Sequence, residues 1–264
     1  MVMILTKNLR ISLVQYEVVW ENPDANRSIL DELLEPLNGQ TDLILLPEMF
    51  TTGFSMQAKE LAETMDGQSL KWMVQQARKT GAALAGSLII KENNHFFNRF
   101  LFVTPSGEIF HYDKKHLFSM GEEHKYFSSG NQRVIINYMG WRIALMICYD
   151  LRFPVWCRTV KDADLMLFTA NWPAARQLVW QTLTKARAIE NQLYVAGVNR
   201  TGKDEAGIDY VGESVLIDPR GNILLDMGTK SEAAGTCLLS LNELIRFREK
   251  FPVGQDADSF EIIS

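Results

Sequence analysis

A glutamate, a lysine and a cysteine each follow an apolar segment of this sequence, at the point where a buried strand should end. Glu48 follows "LILLP", Lys114 follows "IFHYD" and Cys148 follows "IALMI". Loops at strand ends are where α/β folds collect their functional groups. A cysteine at a sharp turn after a strand can expose its sulfur near backbone N–H groups, as the serine of a nucleophile elbow does. The three positions are therefore candidates for a common site.

These residue types suit nucleophilic attack on a carbonyl carbon. A thiol of pKa 8.5 is only about 3% thiolate at pH 7, so it needs a neighbouring base. Histidine is the usual partner, but none of the four, His95, His111, His116 and His124, sits at a strand end beyond the hairpin region of the first half. A carboxylate whose pKa is raised by burial can serve instead, and Glu48 is placed for that. A lysine or a backbone N–H can stabilise the resulting oxyanion.

Each residue also has a simpler interpretation when it is taken alone. A lone cysteine is most often an inert core residue, Glu48 could cap a loop, and Lys114 could be a solvated hairpin charge. The sequence has no HExxH, no CxxC and no close His/Cys pair, so it predicts no metal site. It has no glycine-rich phosphate loop after a strand, so it predicts no nucleotide cofactor.

Composition narrows the class of protein. The chain has 264 residues, of which 47% are hydrophobic and 22% charged, as is typical of globular proteins. The net charge of −5 without a long basic block argues against nucleic acid as the main partner. The three cysteines, Cys148, Cys157 and Cys237, are too few and too scattered for a disulfide framework, which favours a reducing compartment. We expect Cys157 and Cys237 to be core residues.

The compartment and the domain organisation follow from similar observations. The first 20 residues lack the charged, apolar and small-residue regions of a secretory signal. No uncharged apolar run approaches the roughly 18 residues that a membrane span needs. No linker rich in Pro, Gly and Ser divides the chain. We therefore expect a cytoplasmic protein that does not act at a membrane, with residues 1–264 forming a single domain.

The hydrophobic pattern predicts the same order of elements in both halves: strand, helix, strand, helix, strand, hairpin. In the first half these are a strand at Arg10–Val18, a helix starting at Asn22 and Pro23, a strand "DLILLP", a helix "SLKWMVQQARKTG", a strand "AALAGSLII" and a hairpin turning at "PSGE". In the second half they are "WRIALMIC", a helix "FPVWCRTVKDA", "DLMLFTA", a helix "ARQLVWQTLTKARAIENQ", "LYVAGVNR" and a hairpin turning at "PRGN". A strand "GTCLLSL", a helix "NELIRFREKFPV" and an acidic tail follow. Two such halves could pack sheet on sheet.

Three segments together resemble the signatures of the nitrilase superfamily, the carbon–nitrogen hydrolases: "LLPEMFTTGF", "YDKKHLF" and "CYDLRFPVW". The resemblance extends over nearly the whole chain, including "ANWP" and "ARAIENQLYVAGVNR". It implies an α/β fold, a four-layer α-β-β-α sandwich, and a homodimer that uses no metal or organic cofactor. It also implies that Cys148 is the nucleophile, Glu48 the general base and Lys114 the oxyanion-stabilising cation. The backbone N–H of Tyr149 would share in holding the oxyanion.

The family carries a second glutamate near the cysteine, and Glu123 fits its spacing better than Glu122 does. Within the superfamily, "CYDLRFPVW", "NWP" and the C-terminal "REKFPV" most resemble the bacterial ω-amidase group. This implies hydrolysis of the terminal amide of short α-keto acid amides such as 2-oxoglutaramate.

Two glutamates near the sulfur would repel an anionic substrate unless a cation holds its carboxylate. Arg152 and Arg176 are the candidates, with Trp172 beside them, although Arg152 could instead pair with Asp150 or with one of the family's glutamates. The alternatives are nitrile hydrolysis or N-carbamoyl amino acid cleavage on the same fold, or a non-enzymatic scaffold.

Overall fold

Two six-stranded β-sheets form the centre of the structure, a computed structural model that describes residues 8–159, 161–229 and 232–262. The strands are β1 (Asn8–Gln15), β2 (Leu43–Leu45), β3 (Ala83–Glu92), β4 (His95–Val103), β5 (Ile109–Asp113), β6 (Ile135–Tyr138), β7 (Trp141–Ile147), β8 (Leu165–Ala170), β9 (Tyr194–Asn199), β10 (Thr201–Lys203), β11 (Asp209–Val211), β12 (Val215–Ile217), β13 (Ile223–Asp226) and β14 (Ala233–Ser240). The α-helices are α1 (Pro23–Leu34), α2 (Ala58–Leu61), α3 (Gln68–Thr80), α4 (Gln177–Asn191) and α5 (Leu241–Lys250).

The two sheets share one pattern of strand pairing. The first has the order β14-β1-β2-β3-β4-β5 and the second, read in the same sense, β6-β7-β8-β9-β12-β13. In each, the second, third and fourth strands are parallel and the remaining pairs are antiparallel. The repeated order of elements that the sequence predicts is thus confirmed at the level of the sheets.

The sheets pack face to face and helices cover their outer faces. One core cluster joins Leu9, Ile11 and Leu13 of β1 to Ile143 and Leu145 of β7, so it lies between the sheets. A second cluster joins the apolar faces of α1 and α3 to the outer face of β2 and β3. Helix α4 packs on the outer face of the second sheet, against β9. The predicted four-layer α-β-β-α sandwich is confirmed.

Local signals explain where the helices begin and end. The side chain of Asn22 accepts a hydrogen bond from the backbone N–H of Ala25, and Pro23 occupies the first turn of α1, as predicted. Helix α3 ends at Gly81, whose φ of +70° is a left-handed conformation that favours glycine. The turns predicted at "PSGE" and "PRGN" connect β4 to β5 and β12 to β13.

The predicted helix "FPVWCRTVKDA" is wrong. A 3-10 turn at Cys148–Arg152 and irregular turns make this crossover between β7 and β8, apart from residue 160, which lies outside the described part of the chain. The crossover is anchored to other elements: the Arg187 guanidinium donates to the carbonyl of Leu151 at 2.7 Å, and the Thr159 N–H donates to Asn191 Oδ1 at 2.9 Å. Two helix-type backbone bonds, from Cys157 to Phe153 and from Ala163 to Thr159, form single turns that do not continue into a helix.

Smaller corrections concern other elements. The first strand ends at Gln15 rather than Val18, and the sequence pattern missed β6 and the β10–β11 hairpin. Cys157 is buried as expected but lies in a turn, not a helix. Cys237 is half-buried rather than a core residue, because β14 is an edge strand that exposes alternate side chains. Residues 1–7 and the last two residues of the acidic tail lie outside the described residues.

Candidate active site

Glu48, Lys114 and Cys148 follow the ends of β2, β5 and β7, and the fold brings these strand ends together. Pro47 ends the apolar segment after β2, and Met49, at a φ of +44°, turns the chain sharply. The backbone N–H of Met49 donates to Ser87 Oγ of β3 at 2.8 Å, which fixes the loop that carries Glu48. Cys148 itself has a φ of +41°, a conformation that is strained for a residue with a Cβ. The positive φ of Cys148 thus agrees with the sharp turn after a strand that we expected at this residue.

The Lys114 ammonium lies between two buried glutamates. Its Nζ is 2.8 Å from Glu48 Oε1, 2.9 Å from Glu123 Oε2 and 3.1 Å from Glu123 Oε1. The side chains of Glu48 and Glu123 are fully buried, and that of Lys114 is 1% exposed. Nζ also lies 5.0 Å from the centre of the Phe54 ring. The structure places Glu123 in this cluster, whereas Glu122 is exposed and pairs with Lys125.

Hydrogen bonds to both oxygens fix the carboxylate of Glu48. Oε1 accepts from Lys114 Nζ and from Asn98 Nδ2 at 2.7 Å. Oε2 accepts from the backbone N–H of Asn171 at 2.9 Å, and Asn171 Nδ2 donates to the Glu48 carbonyl at 2.7 Å. Both carboxylate oxygens of Glu48 thus have hydrogen-bond donors as partners.

The charges of the cluster set the protonation of its members. Burial lowers the pKa of Lys114, but the charges of Glu123 and Glu48 outweigh it, so the pKa lies above its ordinary value and the ammonium stays charged. Burial and then the charge of Glu48 raise the pKa of Cys148 well above its ordinary value, while Lys114 opposes them. The resting sulfur is therefore a thiol at neutral pH. Burial raises the pKa of Glu123, which Lys114 opposes.

Cys148, Glu48 and Lys114 line a cavity of about 650 Å³. The Cys148 residue is half-buried, and its Sγ lies 3.9 Å from the carbonyl of Asn171. Tyr149 also lines the cavity, and its ring packs edge-on against Phe118 at 5.1 Å. The cavity gives a small molecule access to a sulfur beside a carboxylate and an ammonium.

The three residues expected to bind substrate also line this cavity. The Arg152 guanidinium lies 5.5 Å from the Trp172 ring and that of Arg176 lies 5.1 Å from the Phe118 ring. The indole N–H of Trp172 donates to the carbonyl of Arg176 at 2.9 Å, which joins two of the three residues. Asp150, the alternative partner for Arg152, instead accepts hydrogen bonds from Tyr112 and His116.

Sequence reasoning missed the residues that hold the cluster in place. Asn98 lies within the apolar segment "FFNRFLFV" and is fully buried, and a buried amide in an apolar strand is the signal that could have identified it. Asn171 occurs in the quoted "ANWP", but nothing in that segment showed that it contacts Glu48. Asp150 was considered only as a partner for Arg152.

Two other features are absent from the described ranges. There, no group of three or more His, Cys, Asp and Glu side chains is placed to hold a metal ion. No helix in the same ranges is both long and apolar enough to span a membrane.

The sequence and the structure are similar to those of known hydrolases. Residues 10–249 match the family model described as carbon-nitrogen hydrolase. Omega-amidase YafV of Escherichia coli (strain K12) is 46% identical over 254 residues, which cover 96% of this chain and 98% of that protein. The 2-oxoglutaramate amidase of Bacillus subtilis (strain 168) is 34% identical over 251 residues, which cover 93% and 96%.

A crystal structure from Xanthomonas campestris is similar over the whole fold. It has a TM-score of 0.94 and 45% sequence identity, and it covers 97% of this chain and 99% of that chain. It is described as a CN-hydrolase superfamily protein with an arsenic adduct in the active site.

Proposed function

Because the chain belongs to the carbon–nitrogen hydrolase family, we propose that it is an ω-amidase. It hydrolyses the terminal amide of short α-keto acid amides such as 2-oxoglutaramate and releases the acid and ammonia. The reaction class rests on one observation: Glu48 and Lys114, which belong to the buried Glu48–Lys114–Glu123 cluster, line the same cavity as a half-buried cysteine. The substrate class is supported by the two relatives, an omega-amidase and a 2-oxoglutaramate amidase, that are similar over nearly their full length.

In the proposed acylation step, Glu48 is the general base and Cys148 the nucleophile. The raised pKa of the thiol means that its proton must leave during attack. Glu48 takes that proton while the sulfur forms a bond to the amide carbon, and the carbonyl oxygen becomes an oxyanion. The Lys114 ammonium and the backbone N–H of Tyr149 stabilise the oxyanion. The C–N bond then breaks, and Glu48 returns the proton to the leaving ammonia.

Deacylation uses the same groups. Glu48 takes a proton from a water molecule, whose oxygen attacks the thioester carbon to form a second oxyanion. When the C–S bond breaks, the sulfur recovers the proton from Glu48, and the acid is released. Throughout, Lys114 stays charged because Glu48 and Glu123 hold its pKa high. In this scheme Glu123 fixes Lys114 and helps to place the substrate, and neither half-reaction needs a metal or an organic cofactor.

The substrate carboxylate is proposed to bind to Arg152 or Arg176, with Trp172 forming part of the same wall. Both guanidiniums line the cavity, and each lies against an aromatic ring. Arginine binds a carboxylate through two parallel hydrogen bonds, which would fix the distance from the carboxylate to the amide.

We also propose that the chain forms one domain, that its partners are small-molecule amides rather than nucleic acid or membrane, and that it acts in the cytoplasm as a homodimer. Leu178 and Ile189 of α4 are 74% and 52% exposed, and Val155 of the crossover after Cys148 is 58% exposed. Burying these side chains against a second copy would remove apolar surface from water. Analytical ultracentrifugation of the wild type and of a Leu178→Lys variant tests the dimer.

The substrate is tested by comparing ammonia release from 2-oxoglutaramate, from a neutral amide of similar length, from a nitrile and from an N-carbamoyl amino acid. The proposed function predicts the highest kcat/KM for 2-oxoglutaramate. It also predicts that Arg152→Ala or Arg176→Ala lowers kcat/KM for 2-oxoglutaramate but not for the neutral amide. Equal wild-type turnover of the neutral amide would contradict the carboxylate clamp and the substrate class. Activity on none of the four would favour a non-enzymatic scaffold.

A further inference from the structure

Asp150 is a buried carboxyl group that joins the segment carrying Lys114 to the turn carrying Cys148. It is fully buried and lies two residues after the cysteine. Its Oδ2 accepts a hydrogen bond from the backbone N–H of Ile147 at 3.0 Å and from the hydroxyl of Tyr112 at 2.7 Å. Its Oδ1 lies 3.1 Å from the backbone N of His116 and 2.8 Å from His116 Nδ1.

These contacts lie on either side of the proposed catalytic residues in the chain. Tyr112 and His116 flank Lys114 by two residues on each side, and Ile147 directly precedes Cys148. The Tyr112 hydroxyl also accepts a hydrogen bond from the backbone N–H of Lys115 at 3.1 Å. This bond is a second restraint on the segment that carries Lys114. The carboxyl group of Asp150 therefore holds the backbone on both sides of Lys114 and the backbone at Cys148.

The turn that Asp150 holds is strained. Cys148 has a φ of +41°, which persists only where the surrounding structure enforces it. The backbone of Asp150 adds to the restraint, because its carbonyl accepts from the N–H of Phe153 at 3.0 Å and from Cys157 Sγ at 3.2 Å. The ring of His116 stacks on Phe153 with 3.6 Å between ring centres.

We propose that Asp150 is a positioning residue that fixes Lys114 relative to Cys148 through its bonds to Tyr112, His116 and Ile147. The inference rests on the proposed function, since it assigns a role to the distance between the thiol and the oxyanion-stabilising ammonium. Asp150 itself touches neither the sulfur nor the ammonium. It acts on the rate by keeping the two groups at the spacing that the tetrahedral intermediate requires.

Asparagine at position 150 is a sharp test because it has the same shape but cannot make the same bonds. At the Oδ2 position its NH₂ group would face the N–H of Ile147, and the Tyr112 oxygen there already accepts from Trp156 and Lys115. At the Oδ1 position the NH₂ group would face the N–H of His116. Either orientation leaves one backbone N–H without its acceptor. This releases either the segment that carries Lys114 or the turn that carries Cys148.

The experiment measures steady-state hydrolysis of 2-oxoglutaramate and the pH dependence of Cys148 alkylation in the wild type and in Asp150→Asn. We expect kcat to fall about 10- to 100-fold with little change in KM, the size of effect that follows from a misplaced catalytic group. Alkylation by iodoacetamide is followed by mass spectrometry of the peptide that contains Cys148. Glu48 and Lys114 are the charged groups with the largest effect on this thiol, and Tyr210, Arg152 and Arg176 also line its cavity. Because Lys114 lowers its pKa, displacing Lys114 moves the alkylation midpoint to higher pH.

Asp164→Asn is the matched control. Asp164 is also a buried carboxyl group, and it accepts from Arg142 and Arg248, but it lies at the start of β8, at the opposite end of the strand from Asn171. We expect Asp164→Asn to lower the melting temperature without changing kcat or the alkylation midpoint. A purely structural role of Asp150 would give the same result for Asp150→Asn, and that result would overturn the proposal.

Two further measurements keep the test decisive. If Asp150→Asn does not fold, Tyr112→Phe replaces it, because it removes one donor to Asp150; a lower kcat and a higher alkylation midpoint support the proposal, and wild-type values for both overturn it. If the wild type does not hydrolyse 2-oxoglutaramate, the proposed substrate is wrong. The alkylation midpoints of the variants still test the positioning, since they require no substrate.

Discussion

Glu48→Gln separates the reactivity of the Cys148 thiol from catalysis of amide hydrolysis. Glu48 raises the pKa of the thiol through its charge and its hydrogen bond, so removing the charge lowers that pKa. The fraction of thiolate at a fixed pH therefore increases. The glutamine cannot accept the thiol proton or return it to the leaving ammonia, so hydrolysis loses its general acid and base. The variant should be more reactive towards iodoacetamide and nearly inactive as an amidase.

The expected magnitudes follow from the contacts of Glu48. Loss of general acid–base catalysis should lower kcat about 10²- to 10⁴-fold. A glutamine can keep the bond from the Asn171 N–H, and its NH₂ group can bond to Asn98 if that amide rotates, since Asn98 Oδ1 has no hydrogen-bond partner among the described residues. Lys114 loses one of its two carboxylate partners, a charge-assisted bond worth about 1.5–3 kcal/mol. Removing a buried negative charge offsets part of this loss, so the variant should fold.

The assay combines ammonia release from 2-oxoglutaramate with the pH dependence of Cys148 alkylation. Glu122→Gln is the control, because Glu122 is exposed, pairs with Lys125 and lies next to Glu123 in the chain; it should leave both measurements unchanged. Near-normal turnover by Glu48→Gln would refute the role of Glu48 as the base. An alkylation midpoint that moves to higher pH would refute the electrostatic argument, even if hydrolysis is lost.

The remaining predictions concern the nucleophile, the oxyanion site and the acid stability of the fold. Cys148→Ser should fold and lose nearly all activity, since a serine hydroxyl is far less acidic than a thiol; circular dichroism and ammonia release check this. Lys114→Ala should cost about 2.7–4 kcal/mol of transition-state stabilisation, measured as kcat/KM, whereas Lys115→Ala should change it little. Asp164→Asn should lower the free energy of unfolding by about 2 kcal/mol at neutral pH, measured by urea titration. Burial opposes the shift, but bonds from Arg142 hold the pKa of Asp164 below its ordinary value, so this stability is present above the unfolded pKa and is lost as the pH falls through the folded one. The difference from the wild type should therefore shrink below about pH 4; a constant difference would contradict the assignment.

Hydrophobic periodicity predicts most of this fold because the elements are long or buried on both faces. The segments "LILLP", "IALMI" and "LMLF" are continuous apolar runs, which are typical of strands inside a two-sided sheet. The helices α1 and α3 have both a periodic apolar face and end signals at Asn22 and Gly81. The hairpin of β10 and β11 escaped prediction because each strand has only three residues, too few for a period to be recognised.

The site was less predictable than the fold, because the residues that hold it act across large separations in the chain. Glu48 is fixed by Asn98 and Asn171, which lie 50 and 123 residues further along the chain. No local pattern indicates such contacts; the positions at strand ends and the resemblance to a family brought Glu48, Lys114 and Cys148 into one hypothesis. An amide in an apolar strand signals a buried polar contact, but it does not identify the partner.

The one helix that was predicted wrongly would begin at Phe153, just after the turn that carries Cys148. The segment after Cys148 has the apolar spacing and the early proline of a helix, and those local preferences are satisfied by a few isolated turns instead. The chain enters this segment from Cys148, whose φ of +41° is left-handed, and a 3-10 turn at Cys148–Arg152 separates that residue from Phe153. The side chain of Asp150, turned back to the N–H of Ile147, stabilises the left-handed start. The helical preference of this segment is therefore not realised next to Cys148, whose backbone presents the sulfur to the cavity.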